Sequence, residues 1–121
     1  IIDKINILNA TYEAMRLAIS NLKITPEVLL NDAVRIPNIS IHQHPIVQGD
    51  NKSISIAASS IIAKVTRDKI MDDFAKEYTY YDFENNKGYG TKNHIEAIKE
   101  HGLTPIHRKT FVKNIEIKRK D

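Results

Sequence analysis

The sequence predicts a mixed α/β domain, and two kinds of pattern support this prediction. Two long segments carry apolar residues at intervals of three and four, which is typical of amphipathic helices. Between them, the short apolar run Val28-Leu29-Leu30 has the length of a strand and leads directly into Asn31-Asp32. In open α/β sheets, functional sites usually lie at the carboxyl ends of the strands, where polar groups follow a buried strand. We therefore expect a sheet flanked by helices, with exposed acids at the strand ends.

The first helical pattern covers roughly residues 3–21. Asp3 is a possible N-cap, and Thr25-Pro26 turns the chain after the helix. We expect this helix to be a scaffold. Its apolar positions are Ile5, Leu8, Tyr12, Met15, Ile19 and Leu22.

The longest predicted helix lies in the stretch from Gly49 to Tyr78. Asn51 or Ser53 is expected to cap its first turn. Asp50, just before that turn, would lie at the positive end of the helix dipole, which favours the ionised carboxylate that a hard divalent cation binds. One face is apolar throughout and is expected to be buried, with small residues favouring close packing on a sheet or a second helix. That face is formed by Ile54, Ala58, Ile61, Ile62, Val65, Ile70, Phe74 and Tyr78.

The remaining segments predict short elements. Residues 39–42 and 46–48 are expected to form a small two-stranded excursion interrupted by Pro45. Residues 80–90 form a loop, after which Thr91 caps a helix over residues 92–101 that stops at Gly102. Pro105 suits the first turn of a short basic helix that would extend to about Lys113.

Composition limits the class of protein. The chain has 121 residues, the size of one domain, and it has no cysteine, so disulfides and thiolate metal sites are excluded. This composition fits a reducing compartment, and we expect a cytoplasmic location. No apolar run reaches the length of about 18 residues needed to cross a membrane. The first residue is Ile1 and helical periodicity begins at once, so we expect the chain to be a piece of a longer protein.

The net charge of +3 is mild, but basic residues cluster towards the end of the chain. This pattern is consistent with a polyanionic partner, and equally with a solvated tail. The residues concerned are His107, Arg108, Lys109, Lys113, Lys118, Arg119 and Lys120.

Two acids are candidate metal ligands. Asp32 and Asp50 lie 18 residues apart, one after a strand and one before a helix, and could share a cation. The alternative is structural, since acids often cap helices and follow strands. In contrast, Asp72-Asp73 is expected to be a solvated pair balanced by Lys69 and Lys76.

Two further motifs are candidates for binding. His42 and His44 would lie on one face of a strand, a spacing that suits zinc, but no third ligand is evident and exposed strand polarity is the alternative. Tyr89 stands between Gly88 and Gly90 immediately before a helix. That arrangement can present an aromatic ring to a sugar or base, or turn the ring inward.

Several strings resemble the ribonuclease HII family. GDNKSISIAASSIIAKVTRD resembles its motif of a glycine-aspartate step, a Lys-Ser pair and a helix of the form Ala-Ala-x-Ser-Ile-x-Ala-Lys-Val. KGYGTKNH and HGLTPIHRKTF resemble two later motifs, and INILNATYEAM resembles the first helix. The resemblance covers nearly the whole chain. It implies the C-terminal portion of an RNase H-like fold, a single partial domain with a basic helical segment over about 91–121.

The resemblance also implies an activity. The family cleaves the RNA strand of RNA–DNA hybrids, and at single ribonucleotides in duplex DNA, leaving 5′-phosphates. It holds Mg²⁺ or Mn²⁺ with an early Asp-Glu pair and two later aspartates, which correspond to Asp32 and Asp50. The early pair and the glycine-arginine-glycine clasp are absent here, so they are expected upstream. The resemblance thus implies that the chain alone is inactive and that the complete enzyme is a monomer.

The same resemblance implies substrate contacts. Tyr89 corresponds to a tyrosine that packs on the sugar at the ribonucleotide junction, and Lys52, Ser53, Arg108 and Lys109 are candidate phosphate contacts. Two positions depart from the family pattern: Asn31 stands where an aliphatic residue is usual, and Ser59 replaces an alanine. The competing hypothesis is a non-catalytic nucleic-acid-binding module in which Tyr89 and the basic tail bind and the aspartates are structural.

Overall fold

The computed structural model describes residues 1–117, so Lys118, Arg119 and Lys120 lie outside the described residues. The predicted mixed α/β architecture is confirmed. The elements are α1 (Ile2–Ser20), β1 (Val28–Asp32), β2 (His42–Ile46), α2 (Gly49–Lys52), α3 (Ile54–Glu77), α4 (Phe83–Asn86), α5 (Lys92–His101) and a 3₁₀ helix at Lys109–Phe111. Contacts divide the chain into two compact units, Ile1–Ala63 and the residues from Lys64 onward.

Helix α1 contains an internal break. Asn6 has φ 68° and ψ 171°, outside the helical region, and its side-chain Oδ1 accepts a hydrogen bond from the Asn9 N–H at 3.0 Å. Asn6 therefore caps the part of α1 that follows it. Asp3 lies inside the first turn, because Ile1 occupies the N-cap position.

Strands β1 and β2 pair in parallel, with Val28 opposite His42 and Asp32 opposite Ile46. The expected excursion in two pieces is wrong, because one continuous strand includes Pro45. The reason lies in the ladder: the carbonyl of Ile46 accepts from the Ala33 N–H at 2.9 Å, so alternate residues of β2 direct their main-chain groups at β1. Pro45, one position away, directs its nitrogen away from β1, so its missing N–H costs no bond.

The long helix predicted from Gly49 is broken at Ser53, which has an extended main chain with φ −129° and ψ 122°. The hydroxyl of Ser53 accepts from the Ile56 N–H at 3.3 Å and so caps α3, whereas Asn51 lies within α2. The expected burial of the apolar face is wrong for most of α3, although Phe74 and Tyr78 are half-buried and pack against a core cluster. Ile56 is the buried residue of α3, and Ile54 is 90% exposed. Ile61, Ile62, Val65 and Ile70 are also exposed.

The second unit has a core of Tyr81, Phe83, Ala97 and Ile98. Helix α5 has the predicted bounds, with the Thr91 hydroxyl accepting from the His94 N–H and Gly102 following the helix at φ 81°. The loop over residues 80–90 includes the short helix α4. The basic helix predicted from Pro105 is wrong, because turns precede the short 3₁₀ helix. Asp72 pairs with Lys87, rather than with Lys69 or Lys76.

None of the described helices is both long and apolar enough to cross a membrane.

Candidate functional site

Asp32 ends strand β1 and contacts the turn that carries the second candidate acid. Its Oδ1 accepts a hydrogen bond from the main-chain N–H of Gly49 at 2.9 Å. Gly49 is buried, and a Cβ atom there would lie 3.4 Å from the Cα of Asp32 and 2.7 Å from the Cδ1 of Ile56. A larger residue would force the Ile56 side chain to shift, so glycine favours this close approach. The bond places the Asp32 carboxylate beside the residue that directly precedes Asp50.

Asp50 lies in the first turn of α2, whereas the sequence predicted it just before the first turn of the long helix. Gln48, with φ 53° and ψ 45°, turns the chain from β2 into this segment. The side chain of Asp50 is exposed, and its Oδ1 accepts from the neighbouring Asn51 N–H at 3.1 Å. In both aspartates the hydrogen bond uses Oδ1. Among the described residues, Oδ2 of each carboxylate accepts no hydrogen bond and remains available.

The oxygen atoms of Asp32 and Asp50 are of the type that a hard divalent cation binds, but they are too few to complete its coordination. Carboxylate oxygens are the ligands that Mg²⁺ and Mn²⁺ prefer. Within residues 1–117, however, no group of three or more His, Cys, Asp and Glu side chains comes together to hold a metal ion. If Asp32 and Asp50 bind a cation, they would supply only part of its ligand set, and the remaining oxygen atoms would have to come from elsewhere.

A buried amide network supports the strand that carries Asp32, and sequence reasoning missed it. Gln43, 4% exposed, lies on β2 and its Oε1 accepts from the Asn31 side chain at 2.8 Å and from the Ile36 N–H at 2.7 Å. Its Nε2 donates to the Ile36 carbonyl at 2.9 Å. Asn31, the polar departure from the family pattern, is thus satisfied by Gln43. Their positions on facing strands are the signal that could have revealed the pair.

His42 and His44 lie on one face of β2, as predicted. Their Nε2 atoms are 3.1 Å apart and their rings meet edge to face, with centroids 4.5 Å apart. Both side chains are exposed. The described part of the chain adds no third ligand to them, so their contact is a polar feature of an exposed strand.

Tyr89 presents its ring to solvent. The residue is 68% exposed, and the guanidinium carbon of Arg67 lies 5.1 Å from the ring centroid. Gly88 precedes it with φ 88°, a conformation that favours glycine. The ring does not pack inward, so the structural alternative considered for this motif is wrong.

The main chain of Tyr89 is held by a pair of histidines that sequence reasoning also missed. Nδ1 of His94 lies 2.8 Å from the Tyr89 carbonyl oxygen, and Nε2 of His94 lies 2.9 Å from Nε2 of His107. Nδ1 of His107 lies 2.9 Å from the Thr104 nitrogen. Burial, followed by the proximity of His94, lowers the pKa of His107 below its ordinary value. The two histidines are 13 residues apart, and no local pattern links them.

The candidate phosphate contacts occupy different environments. Lys52 is exposed at the end of α2, and the Ser53 hydroxyl caps α3. The Arg108 guanidinium lies 5.1 Å from the centroid of the Phe111 ring. Lys109 begins the 3₁₀ helix and is exposed.

Comparison with known proteins decides the family. Residues 1–114 match the family model described as Ribonuclease HII. The chain belongs to the ribonuclease HII family. It is 62% identical over 114 residues to a ribonuclease HII of Clostridioides difficile, covering 94% of this chain and 45% of that protein. It is 59% identical to one of Lachnoclostridium phytofermentans, with the same coverage, and 60% identical to one of Caldanaerobacter subterraneus subsp. tengcongensis, covering 94% and 47%.

The match extends over every motif that supports the resemblance. GDNKSISIAASSIIAKVTRD, KGYGTKNH and HGLTPIHRKTF all lie within residues 1–114. The chain spans about half the length of the curated ribonucleases HII that it matches.

Proposed function

We propose that the chain is the C-terminal part of a ribonuclease HII. The complete protein is an endonuclease that hydrolyses the RNA strand of RNA–DNA hybrids, and cuts at ribonucleotides embedded in duplex DNA, giving 5′-phosphate products. Its role is in DNA repair, it acts in the cytoplasm, and it is a monomer. Family membership supports the class of enzyme. The observation that carries the site is the hydrogen bond from Gly49 to Asp32, which brings the strand-end carboxylate to the turn bearing Asp50.

Asp32 and Asp50 would hold Mg²⁺ or Mn²⁺ through their available Oδ2 atoms, together with carboxylates from another part of the protein. Bound cations of this kind supply a hydroxide-like water and stabilise charge on the leaving 3′-oxygen. The residues of this chain contribute negative charge at fixed positions. The bond from the Gly49 N–H fixes the position of the Asp32 carboxylate. Such a constraint suits a metal ligand, because a ligand oxygen must be held to within about 0.5 Å of its place.

Recognition of the substrate would use residues around these acids and around Tyr89. The exposed Tyr89 ring packs on the sugar at the ribonucleotide junction, and the 2′-hydroxyl tells the two kinds of sugar apart. Ser53 accepts from the Ile56 N–H, which leaves its hydroxyl proton to donate to a phosphate oxygen. Lys52, Arg108 and Lys109 add sequence-independent phosphate contacts.

A single-turnover assay on the complete protein tests the role of the aspartates. Asp50→Asn and Asp32→Asn remove one negative charge with almost no change of shape. We expect cleavage of an RNA–DNA hybrid to fall by orders of magnitude while the affinity for the hybrid, measured by titration, is retained. Asp73→Asn, which changes an exposed acid of α3 that is not among the proposed ligands, is the matched control and should cleave normally.

The same assay distinguishes a nuclease from a non-catalytic nucleic-acid-binding module. Cleavage that needs Mg²⁺ or Mn²⁺ supports the nuclease, whereas tight binding without cleavage supports a nucleic-acid-binding module. Near-normal cleavage by Asp50→Asn would mean that Asp50 is not a metal ligand and has only a structural role, accepting from the Asn51 N–H. The isolated chain should bind Mg²⁺ with at most about millimolar affinity and hydrolyse no hybrid, because two carboxylates give the ion too few fixed oxygens.

A further inference from the structure

Two histidines join the Tyr89 main chain to a turn further along the chain. His94 lies on α5 and is 5% exposed, and His107 follows the Thr104-Pro105 turn. Their Nε2 atoms are 2.9 Å apart. The series of contacts runs from the Tyr89 carbonyl, through both imidazole rings, to the main-chain nitrogen of Thr104.

The chemistry of the two end groups fixes the direction of every hydrogen bond in the series. A carbonyl oxygen only accepts, so Nδ1 of His94 carries the proton and donates to Tyr89. A main-chain N–H only donates, so Nδ1 of His107 carries no proton and accepts from Thr104. The Thr104 hydroxyl lies 2.9 Å from the same Nδ1 and accepts from the Ile106 N–H, so its own proton is available to be donated to Nδ1. In the neutral His107 ring the proton is then on Nε2, and it is donated to the bare Nε2 of His94. One arrangement of two neutral rings therefore satisfies every partner.

The surroundings hold both rings in these orientations. The Tyr81 ring lies 6.2 Å from the His94 ring and 5.1 Å from the His107 ring, and Phe83 lies 5.3 Å and 6.0 Å from the same two rings. The Tyr81 hydroxyl donates to the Gly102 carbonyl at 2.8 Å, which fixes Tyr81 in turn. All of these groups belong to the packed core of the second unit or contact it.

Tyr89 itself has few such supports. Its ring is exposed, and the residues on both sides of it are glycines. The N–H of Tyr89 donates to the Asn86 carbonyl, and its carbonyl accepts from the Thr91 N–H as well as from His94. Two of these bonds tie Tyr89 to the buried aromatic core. The Tyr89 N–H bonds to Asn86, whose buried side chain donates to the Tyr81 carbonyl at 2.7 Å, and the Tyr89 carbonyl accepts from His94.

We propose that His94 and His107 are positioning residues for Tyr89: the neutral pair fixes the Tyr89 carbonyl and thereby sets where the exposed ring meets the sugar of a ribonucleotide. This inference rests on the proposed function, because the contact between the ring and the sugar is part of that proposal. The pair itself contacts no substrate. Its effect is on the choice between substrates rather than on the hydrolytic step.

Nitrogen-15 NMR of the imidazole rings tests the arrangement without any need for activity. In the wild-type protein at about pH 8, the spectrum should show the proton of His94 on Nδ1 and the proton of His107 on Nε2. His94 protonated on Nε2 instead would overturn the proposed direction of the bonds. This result stands even if the protein proves not to be a nuclease, so the two proposals fail separately.

Two substitutions of His94 in the complete protein test the positioning role. In His94→Asn the side-chain amide occupies the place of Nδ1 and can still donate to Tyr89, whereas in His94→Gln the amide lies near the place of Nε2 and cannot. His94→Asn loses the bond to His107 and His94→Gln loses the bond to Tyr89, so both should lower the melting temperature. The readout is the ratio of kcat/KM for a single embedded ribonucleotide to kcat/KM for a continuous hybrid.

We expect His94→Gln to lower that ratio roughly five- to tenfold, the effect of removing one hydrogen bond, and His94→Asn to stay within about twofold of wild type. An equal loss in both variants, or a loss of stability with unchanged ratios, would overturn the positioning role. If His94→Gln does not fold, His107→Gln replaces it. Its amide can still donate to His94 from the place of Nε2, so the ratio should be retained, and a loss as large as that expected for His94→Gln would count against the proposal.

Discussion

Asp32 accepts the main-chain N–H of Gly49 at 2.9 Å, and a Cβ atom on Gly49 would lie 2.7 Å from the Cδ1 of Ile56. The end of β1, the start of α2 and the first turn of α3 therefore meet around a residue without a side chain. The position of one candidate ligand relative to the turn that carries the other depends on that absence.

Gly49→Ala should destabilise the protein by about 1 to 3 kcal/mol, because the added methyl group overpacks the contact with the buried Ile56. Urea unfolding measures the change. Gly90→Ala is the matched control, since a Cβ atom at Gly90 would meet no atom within 4 Å. Trimming the opposing side chain in Gly49→Ala, Ile56→Ala should cost less than the sum of the two single changes. Equal stabilities of the Gly49 and Gly90 variants would contradict the close approach.

Gln43→Leu should cost at least about 2 kcal/mol of unfolding free energy, because it leaves the N–H and carbonyl of Ile36 and the amide of Asn31 without their partner in a buried place. Asn31→Leu is the comparison. It removes one bond but leaves Gln43 joined to Ile36, so it should cost less than about 1 kcal/mol. The two unfolding curves give both values, and a larger effect at Asn31 would mean that Gln43 is not the centre of the network.

The lowered pKa of His107 predicts how stability depends on pH. Between the folded pKa and the ordinary value of 6.5, the unfolded chain binds more protons than the folded one. Stability from this group is therefore complete above about pH 6.5 and falls as the pH decreases through the folded pKa. Urea midpoints measured from about pH 8 to about pH 5 should show this loss. His107→Gln should flatten the curve over that range, and an unchanged slope would count against the assignment.

Tyr89→Ala should reduce cleavage at a single embedded ribonucleotide far more than it lowers the melting temperature, because the ring is exposed and contributes little to packing. Tyr89→Phe keeps the ring and should retain most of the activity. Parallel kinetics and thermal melts of the complete protein measure both effects. A variant that loses several degrees of stability but keeps its substrate preference would make Tyr89 a packing residue.

Replacing Arg108 and Lys109 together with alanine should weaken binding to a hybrid duplex and flatten its salt dependence, by roughly one unit of slope for each phosphate that is no longer neutralised. The charge-matched control is Lys4→Ala, Lys23→Ala, which removes two exposed lysines outside the basic segment. Binding titrations over a range of salt concentrations give the slopes. Equal slopes for wild type and the Arg108, Lys109 variant would mean that neither side chain binds a phosphate.

Local signals in the sequence were sufficient where the structure depends on local chemistry. Helix α5 begins after Thr91 and ends before Gly102, as expected, because a hydroxyl cap and a C-terminal glycine act within one turn of the helix. Strand β1 ends at Asp32 for a similar reason, since a short apolar run is followed at once by polar residues.

The errors have long-range causes. The start of α2 is bonded to Asp32, which is distant in sequence, and periodicity cannot show that bond. An interruption at Pro45 was predicted because the sequence does not reveal which residues of β2 direct their main-chain groups at β1. His94 and His107 meet only after the turn at Thr104, so their pairing carries no local signal.

The exposed aliphatic side chains of α3 have a consequence for any experiment on the chain by itself. Ile54 is 90% exposed, and Ile61 and Ile62 are 64% and 68% exposed, so truncating them removes little buried area from the described residues. A mutational scan of thermal stability in the isolated chain would score these positions as silent. The scan would rank Gly49, Gln43 and Phe83 highly and the exposed face of α3 low, so a stability score alone would underrate this apolar surface.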